Sequence, residues 1–183
     1  MLIDPKTAGL MVIDVQARLV PAIPGAAPAI RRISALIQGA RRLGLPVLAS
    51  EHCPDKLGPT VAPIRALLPP DGVHPKTSFA FVREPVWRDL IRRSAKRHWV
   101  VAGFEAHVCV AQSVAALRAL EYEVFVVADA VGSIGDEDKE LALRRMEREG
   151  AFPLSAEMAL FEWLETADNV GLRDVLALIK EMR

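Results

Sequence analysis

Short, almost continuously apolar runs alternate along this chain with longer segments whose apolar residues recur every three or four positions. That alternation leaves few architectures open. A strand apolar on both faces must be covered on both faces, and the amphipathic helices between such strands are what cover it. Residues 9–15, Gly9-Leu10-Met11-Val12-Ile13-Asp14-Val15, are the clearest strand. Behind them Ile30, Ile33, Ile37, Ala40 and Leu43 form a helical stripe that Gly44 stops. Residues 45–50 read as a second strand, with Pro46 near its start, where a missing N–H is tolerated. A loop-rich stretch over 51–70 holds one short helix near 61–68, and 74–77 is a third extended segment. A helix over 86–94, entered through Pro85, precedes strand 99–103, helix 108–120 and strand 123–128. A charged helix over 136–149 ends at Gly150, and Pro153 confines a sixth strand, 151–154, to a sheet edge. Helices over 158–164 and 172–182 close the sequence. The pattern predicts one domain over residues 1–183: a parallel sheet with right-handed crossovers and helices on both faces.

Charge narrows the partners. Lys and Arg number 23, Asp and Glu also 23, so the basic excess of a nucleic-acid binder is missing. No apolar run approaches the roughly 20 residues that cross a bilayer. The first residues lack the basic region and apolar core of a secretion signal. Two cysteines cannot staple a fold and suit a reducing compartment. A cytoplasmic protein acting on a small molecule is expected, without nucleic acid or membrane.

In parallel sheets reactive groups gather beyond the carboxyl ends of the strands. The first strand ends in Asp14 and Gln16, the second in Glu51, His52 and Cys53, and the third reaches Lys76. The fourth runs into Gly103-Phe104-Glu105-Ala106-His107-Val108-Cys109, and the fifth into Asp129, read as a turn acceptor with Ser133. A carboxylate closing a run as apolar as Leu10-Met11-Val12-Ile13 is costly unless it is paired or working. Cys109 stands where a strand meets a helix, so the helix dipole favours its thiolate and a pKa below that of an ordinary thiol. A free cysteine is also among the most buried residue types, and packing alone is the competing account. An acid, an ammonium and a thiol on neighbouring strand ends nevertheless make chemical sense together. The carboxylate of Asp14 can take the proton of Cys109 while Lys76 holds both charges.

Three motifs in order, Val12-Ile13-Asp14-Val15-Gln16, then Pro75-Lys76-Thr77-Ser78-Phe79, then Gly103-Phe104-Glu105-Ala106-His107-Val108-Cys109-Val110, resemble those of the isochorismatase-like cysteine hydrolases. The likeness runs from about residue 8 to about residue 153. The segment Ser50-Glu51-His52-Cys53-Pro54 with Leu57-Gly58-Pro59-Thr60 further resembles a largely unassigned subgroup of isochorismatase-domain proteins. The resemblance implies a three-layer αβα sandwich on a mainly parallel, Rossmann-like sheet of about six strands. It also implies a catalytic triad of Asp14, Lys76 and Cys109. It places a cis peptide at Phe104–Glu105 and an oxyanion hole at the backbone N–H groups of Glu105 and Cys109. Gln16, Leu19, His52, Phe79 and His107 are the candidates to line a substrate pocket.

Departures from the family pattern matter too. Nicotinamidases carry a metal site after the second strand, where this chain has Glu51-His52-Cys53, so no metal is expected. Gln16-Ala17-Arg18-Leu19 stands where a dinucleotide cofactor would need glycines, so no cofactor is expected. The reading is a metal-independent hydrolase of a small amide, with an ester or ether as lesser variants. A nicotinamidase, an isochorismatase-type vinyl-ether hydrolase and a non-enzymatic interaction module are its rivals. Ala159, Leu160, Trp163 and Leu164 on one closing helix, and Leu172, Val175, Leu176, Ile179 and Met182 on the other, form apolar faces. Surplus apolar faces mark interfaces, so a homo-oligomer, dimer or tetramer, is expected.

Overall fold

A computed structural model describes residues Met1–Arg183. Six strands, β1 (Ala8–Ile13), β2 (Val47–His52), β3 (Val73–Lys76), β4 (His98–Phe104), β5 (Glu123–Gly132) and β6 (Phe152–Leu154), form one sheet in the order β3-β2-β1-β4-β5-β6. Every pairing between strands is parallel, so the sheet expected to be mainly parallel is wholly so. The prolines fall where their missing N–H does least harm: Pro153 and Pro75 lie on the two edge strands. This order is that of the Rossmann sheet, and it reverses direction between β1 and β4.

Residues alternate between the two faces, as a strand's period of two demands. Leu10 and Val12 of β1 join a buried apolar cluster with α1 (Ala26–Arg42), α7 (Ala156–Leu164) and α8 (Leu172–Met182). Met11 and Ile13 join a second cluster with α4 (Pro85–Ser94), α5 (Ala111–Ala119) and α6 (Asp136–Arg148). The result is a three-layer α/β sandwich. The loop after β2 holds two single-turn helices, α2 (Pro54–Leu57) and α3 (Ala62–Arg65), where one helix near 61–68 was expected. Pro54 and Pro63 each start a turn, and Gly58, at φ +76°, separates them.

The closing helices correct the sequence reading. Ala159, Leu160, Trp163 and Leu164 of α7 are buried, as are Val175, Ile179 and Met182 of α8. They complete the first face of the sheet against α1, so most of the apolar stripe is spent inside the monomer, with Leu172 half-buried and Leu176 exposed. Leu160 packs so close to α1 that a Cβ at Gly39 would meet its Cδ2 at 2.4 Å.

Candidate active site

In sheets of this order ligands bind beyond the carboxyl ends of the strands, at the switch that here falls between β1 and β4. Asp14 follows β1 directly, in a left-handed conformation at φ 52°. Its amide donates to Ser50 O at 3.1 Å, which holds the end of β1 against β2. Its side chain is fully buried, with Oδ1 accepting from Ser50 Oγ at 2.6 Å and Oδ2 from Lys76 Nζ at 2.7 Å. Lys76 ends β3, two strands away, and its ammonium also lies 3.5 Å from Cys109 Sγ. Three residues separated by 62 and 33 positions in sequence thus meet at one point. A buried ion pair costs desolvation that its own attraction scarcely offsets, so it is weak evidence of stability and better evidence of use.

The thiol reaches that point through an irregular turn. At Gly103, φ is +125° and a Cβ would lie 2.0 Å from Ile13 O, so only glycine lets β4 approach β1 this closely. The pairing of β4 with β5 slips at the same place, between Val101 and Gly103. The chain then forms a π turn over Ala106–Val110, with Val108 N and Val110 N both donating to Glu105 O, at 3.1 and 3.2 Å. Regular α-helix begins only at Ala111, not at residue 108 as expected. Such wide turns are rare and recur at functional sites.

Two further expectations fail here. Cys109 is not an activated thiolate at rest: burial first, then the neighbouring Asp14 carboxylate, push its pKa up to about 12. Lys76 pulls the other way and loses, because one ammonium does not offset the removal of solvent and the neighbouring carboxylate. The Phe104–Glu105 bond is trans, as is every peptide bond in the chain. Glu105 N–H nonetheless donates to no group of the chain.

The expected pocket residues divide. Gln16 is fully buried and spent on the backbone: Nε2 donates to His52 O at 3.1 Å and to Gly58 O at 2.7 Å, while Oε1 accepts from His52 N at 2.8 Å. It pins the loop after β2 and offers nothing to a ligand. Leu19 is half-buried in the turn after β1. His52 lies 5.2 Å from the ring of Phe79, which is exposed. His107 is exposed and tied to the segment after β5, with Nδ1 3.0 Å from Ser133 Oγ and 3.4 Å from Glu105 Oε2. Ser133 therefore does not turn with Asp129. Asp129 instead accepts from Ala156 N at 2.8 Å, at the start of α7, and pairs with Arg32 at 3.0 Å. Glu51 is committed to Thr60, through N at 2.6 Å and Oγ1 at 2.7 Å. No group of three His, Cys, Asp or Glu side chains is placed to hold a metal ion. Sequence reasoning missed Ser50, although a hydroxyl ending an apolar strand carries the same signal that singled out Asp14.

Known proteins place the fold. The model of the Isochorismatase domain matches residues 8–158. Isochorismatase domain-containing protein 1 of Danio rerio is 33% identical over 178 residues, 97% of this chain and 62% of that protein. Isochorismatase domain-containing protein 2 of the same fish is 30% identical over 179 residues, 97% of this chain and 89% of that protein. The chain thus spans 62% of the length of the first relative and nearly all of the second's. Among solved structures, one described as MAR1 ribonuclease of Caenorhabditis elegans superposes with a TM-score of 0.93 at 29% identity, covering 98% of this chain and 93% of that one. The YcaC gene product of Escherichia coli, described as an octameric hydrolase of unknown specificity, superposes with a TM-score of 0.92 at 22% identity, covering 100% and 93%.

Proposed function

The chain belongs to the isochorismatase family, and on that footing we propose that residues 1–183 form one metal-independent cysteine hydrolase domain that cleaves a small amide through an acyl-thioester. One observation carries the reading: Lys76 Nζ lies within 2.7 Å of the Asp14 carboxylate and 3.5 Å of the Cys109 sulfur. An ammonium between a buried acid and a buried thiol is a poor structural device and a good catalytic one.

The raised thiol pKa shapes the mechanism. Because no thiolate stands at rest, proton loss and attack are coupled. As Sγ bonds to the amide carbon, its proton passes to Asp14 and the carbonyl electrons move onto oxygen. Lys76 keeps its charge and stabilises the developing anions. The free N–H of Glu105 and that of Cys109 are the donors offered to the oxyanion. As the C–N bond breaks, Asp14 returns the proton to the leaving amine. Water then attacks the thioester, gives a proton to Asp14, and the departing sulfur takes one back. Gln16 and the Glu51–Thr60 pair hold the loop that walls the site.

The chain's balanced charge suits an uncharged substrate better than a polyanion such as RNA. Assembly into a homo-oligomer stays part of the proposal, supported by the octamer described for the YcaC neighbour. The test is a screen of small primary amides with ammonia detection, run in parallel on Cys109→Ala. We expect turnover of at least one amide, lost by more than about a thousandfold in the variant, and hydroxylamine capture of the acyl group from the wild type. Full activity in Cys109→Ala overturns the covalent reading, and an ester or vinyl ether cleaved in preference to every amide overturns the amide.

A further inference from the structure

His52 has a place in this site that the acyl-transfer steps leave unused. It ends β2 as the register partner of Lys76. The period of two puts its side chain on the same face as that of Ser50, whose hydroxyl holds Asp14. Both backbone groups of His52 are clamped by the buried Gln16 amide, so the ring stands on a fixed base. One neighbour of that ring is Phe79, tilted 33° to it and 48% exposed, which marks this edge of the site as open to solvent.

The imidazole is half-buried, yet its Nδ1 is shielded from solvent and has no hydrogen-bond partner in the chain. A buried polar atom left unpaired in a rigid setting is costly, and a ligand atom that pairs with it recovers that cost. Burial, more than the mixed charges around it, disfavours the protonated ring. Burial and then Lys76 lower its pKa, Asp14 and Glu84 raise it, Lys56 lowers it, and the net direction is down. A neutral imidazole is a hydrogen-bonding group that neither repels Lys76 nor competes with it for Asp14.

We propose that His52 is the specificity-determining residue of this site, its Nδ1 pairing with a polar atom one or two bonds from the scissile carbonyl of the substrate. The proposal rests on the amide-hydrolase reading above and narrows it. The preferred substrates are uncharged small amides that carry a hydroxyl, keto or second amide group beside the carbonyl. Cationic substituents there are disfavoured by Lys76.

Two isosteric probes separate a binding role from a structural one: 2-hydroxypropanamide and 2-methylpropanamide, which differ only by hydroxyl against methyl. They are titrated into Cys109→Ala protein carrying 15N-labelled histidine, which cannot turn them over. We expect the Nδ1 resonance of His52 to move with the hydroxyamide, and binding about tenfold tighter than for its isostere, the factor that one ordinary hydrogen bond supplies. Read on the Phe79 ring protons, the ratio should fall to about one in His52→Leu and recover in part in His52→Gln. The proposal is overturned if neither probe moves Nδ1, if both bind alike, or if the preference survives in His52→Leu. Because the readout uses protein without the thiol, it stands apart from the nucleophile assignment, whose failure would show as ammonia release by Cys109→Ala.

Discussion

The two faces of the sheet rest on the same six strands and serve different ends. The face under α1, α7 and α8 gathers 33 buried apolar residues, with Leu160 seated on Gly39. The face under α4, α5 and α6 gathers 20, and one of them is Cys109. Beside that cysteine lie a buried ion pair, a π turn and a left-handed aspartate. The larger face is regular and apolar, while the smaller one accommodates charge and strain where its strands end. Stored strain and buried charge persist only when the surroundings over-determine them, and the first face supplies that surplus.

Replacing Lys76 by Met tests the contrast most severely. It leaves Asp14 as an unpaired buried charge, so we expect a loss of about 3–5 kcal/mol in chemical denaturation together with loss of amide turnover. Adding Asp14→Asn should restore most of the stability and none of the activity. A single variant that unfolds no more easily than wild type would show that the pair is not buried in solution.

On the other face, Leu160→Ala should cost about 2–5 kcal/mol. Below its melting temperature the rate constant for turnover should be unchanged. A fall in kcat beyond the unfolded fraction would mean that the two faces are not independent.

The thiol gives a subtler test, read in Cys53→Ser protein so that only Cys109 titrates. Thiolate absorbance near 240 nm should appear close to pH 12, not near the ordinary 9.0. The linkage has a definite sign. A folded-state pKa raised above the unfolded one favours the native state below pH 9.0, and that advantage is lost as pH rises towards about 12. Denaturation midpoints of this protein and of its Cys109→Ala derivative should therefore diverge across that interval. Thiolate at neutral pH would restore the dipole-activated cysteine that the sequence suggests.

The smallest effect is expected at Asp129, whose carboxylate caps the start of α7 and pairs with Arg32 at a partly exposed site. Asp129→Ala should cost about 1 kcal/mol or less in thermal denaturation, with amide turnover intact. A larger loss would mean that this part of β5 is as finely set as the end of β1.

Much of this protein was legible in the order of its residues because the signals are local. Continuous apolar runs identify the strands, the spacing of Ile30, Ile33, Ile37 and Ala40 identifies α1, and Pro153 identifies one sheet edge. Asp14, Lys76 and Cys109 each stand where a strand runs out, so a parallel sheet was enough to point them at one crevice. What each does there is decided by neighbours distant in sequence. Whether Cys109 ionises depends on the water excluded around it and on Asp14, which no local pattern records. Gln16 looked like a pocket residue until the loop after β2 closed over its amide. The last two helices looked sticky until α1 was set against them. Secondary structure follows from periodicity within a dozen residues. Desolvation, ion pairing and the partner of each apolar face are properties of what the fold brings together, and only the tertiary structure decides them.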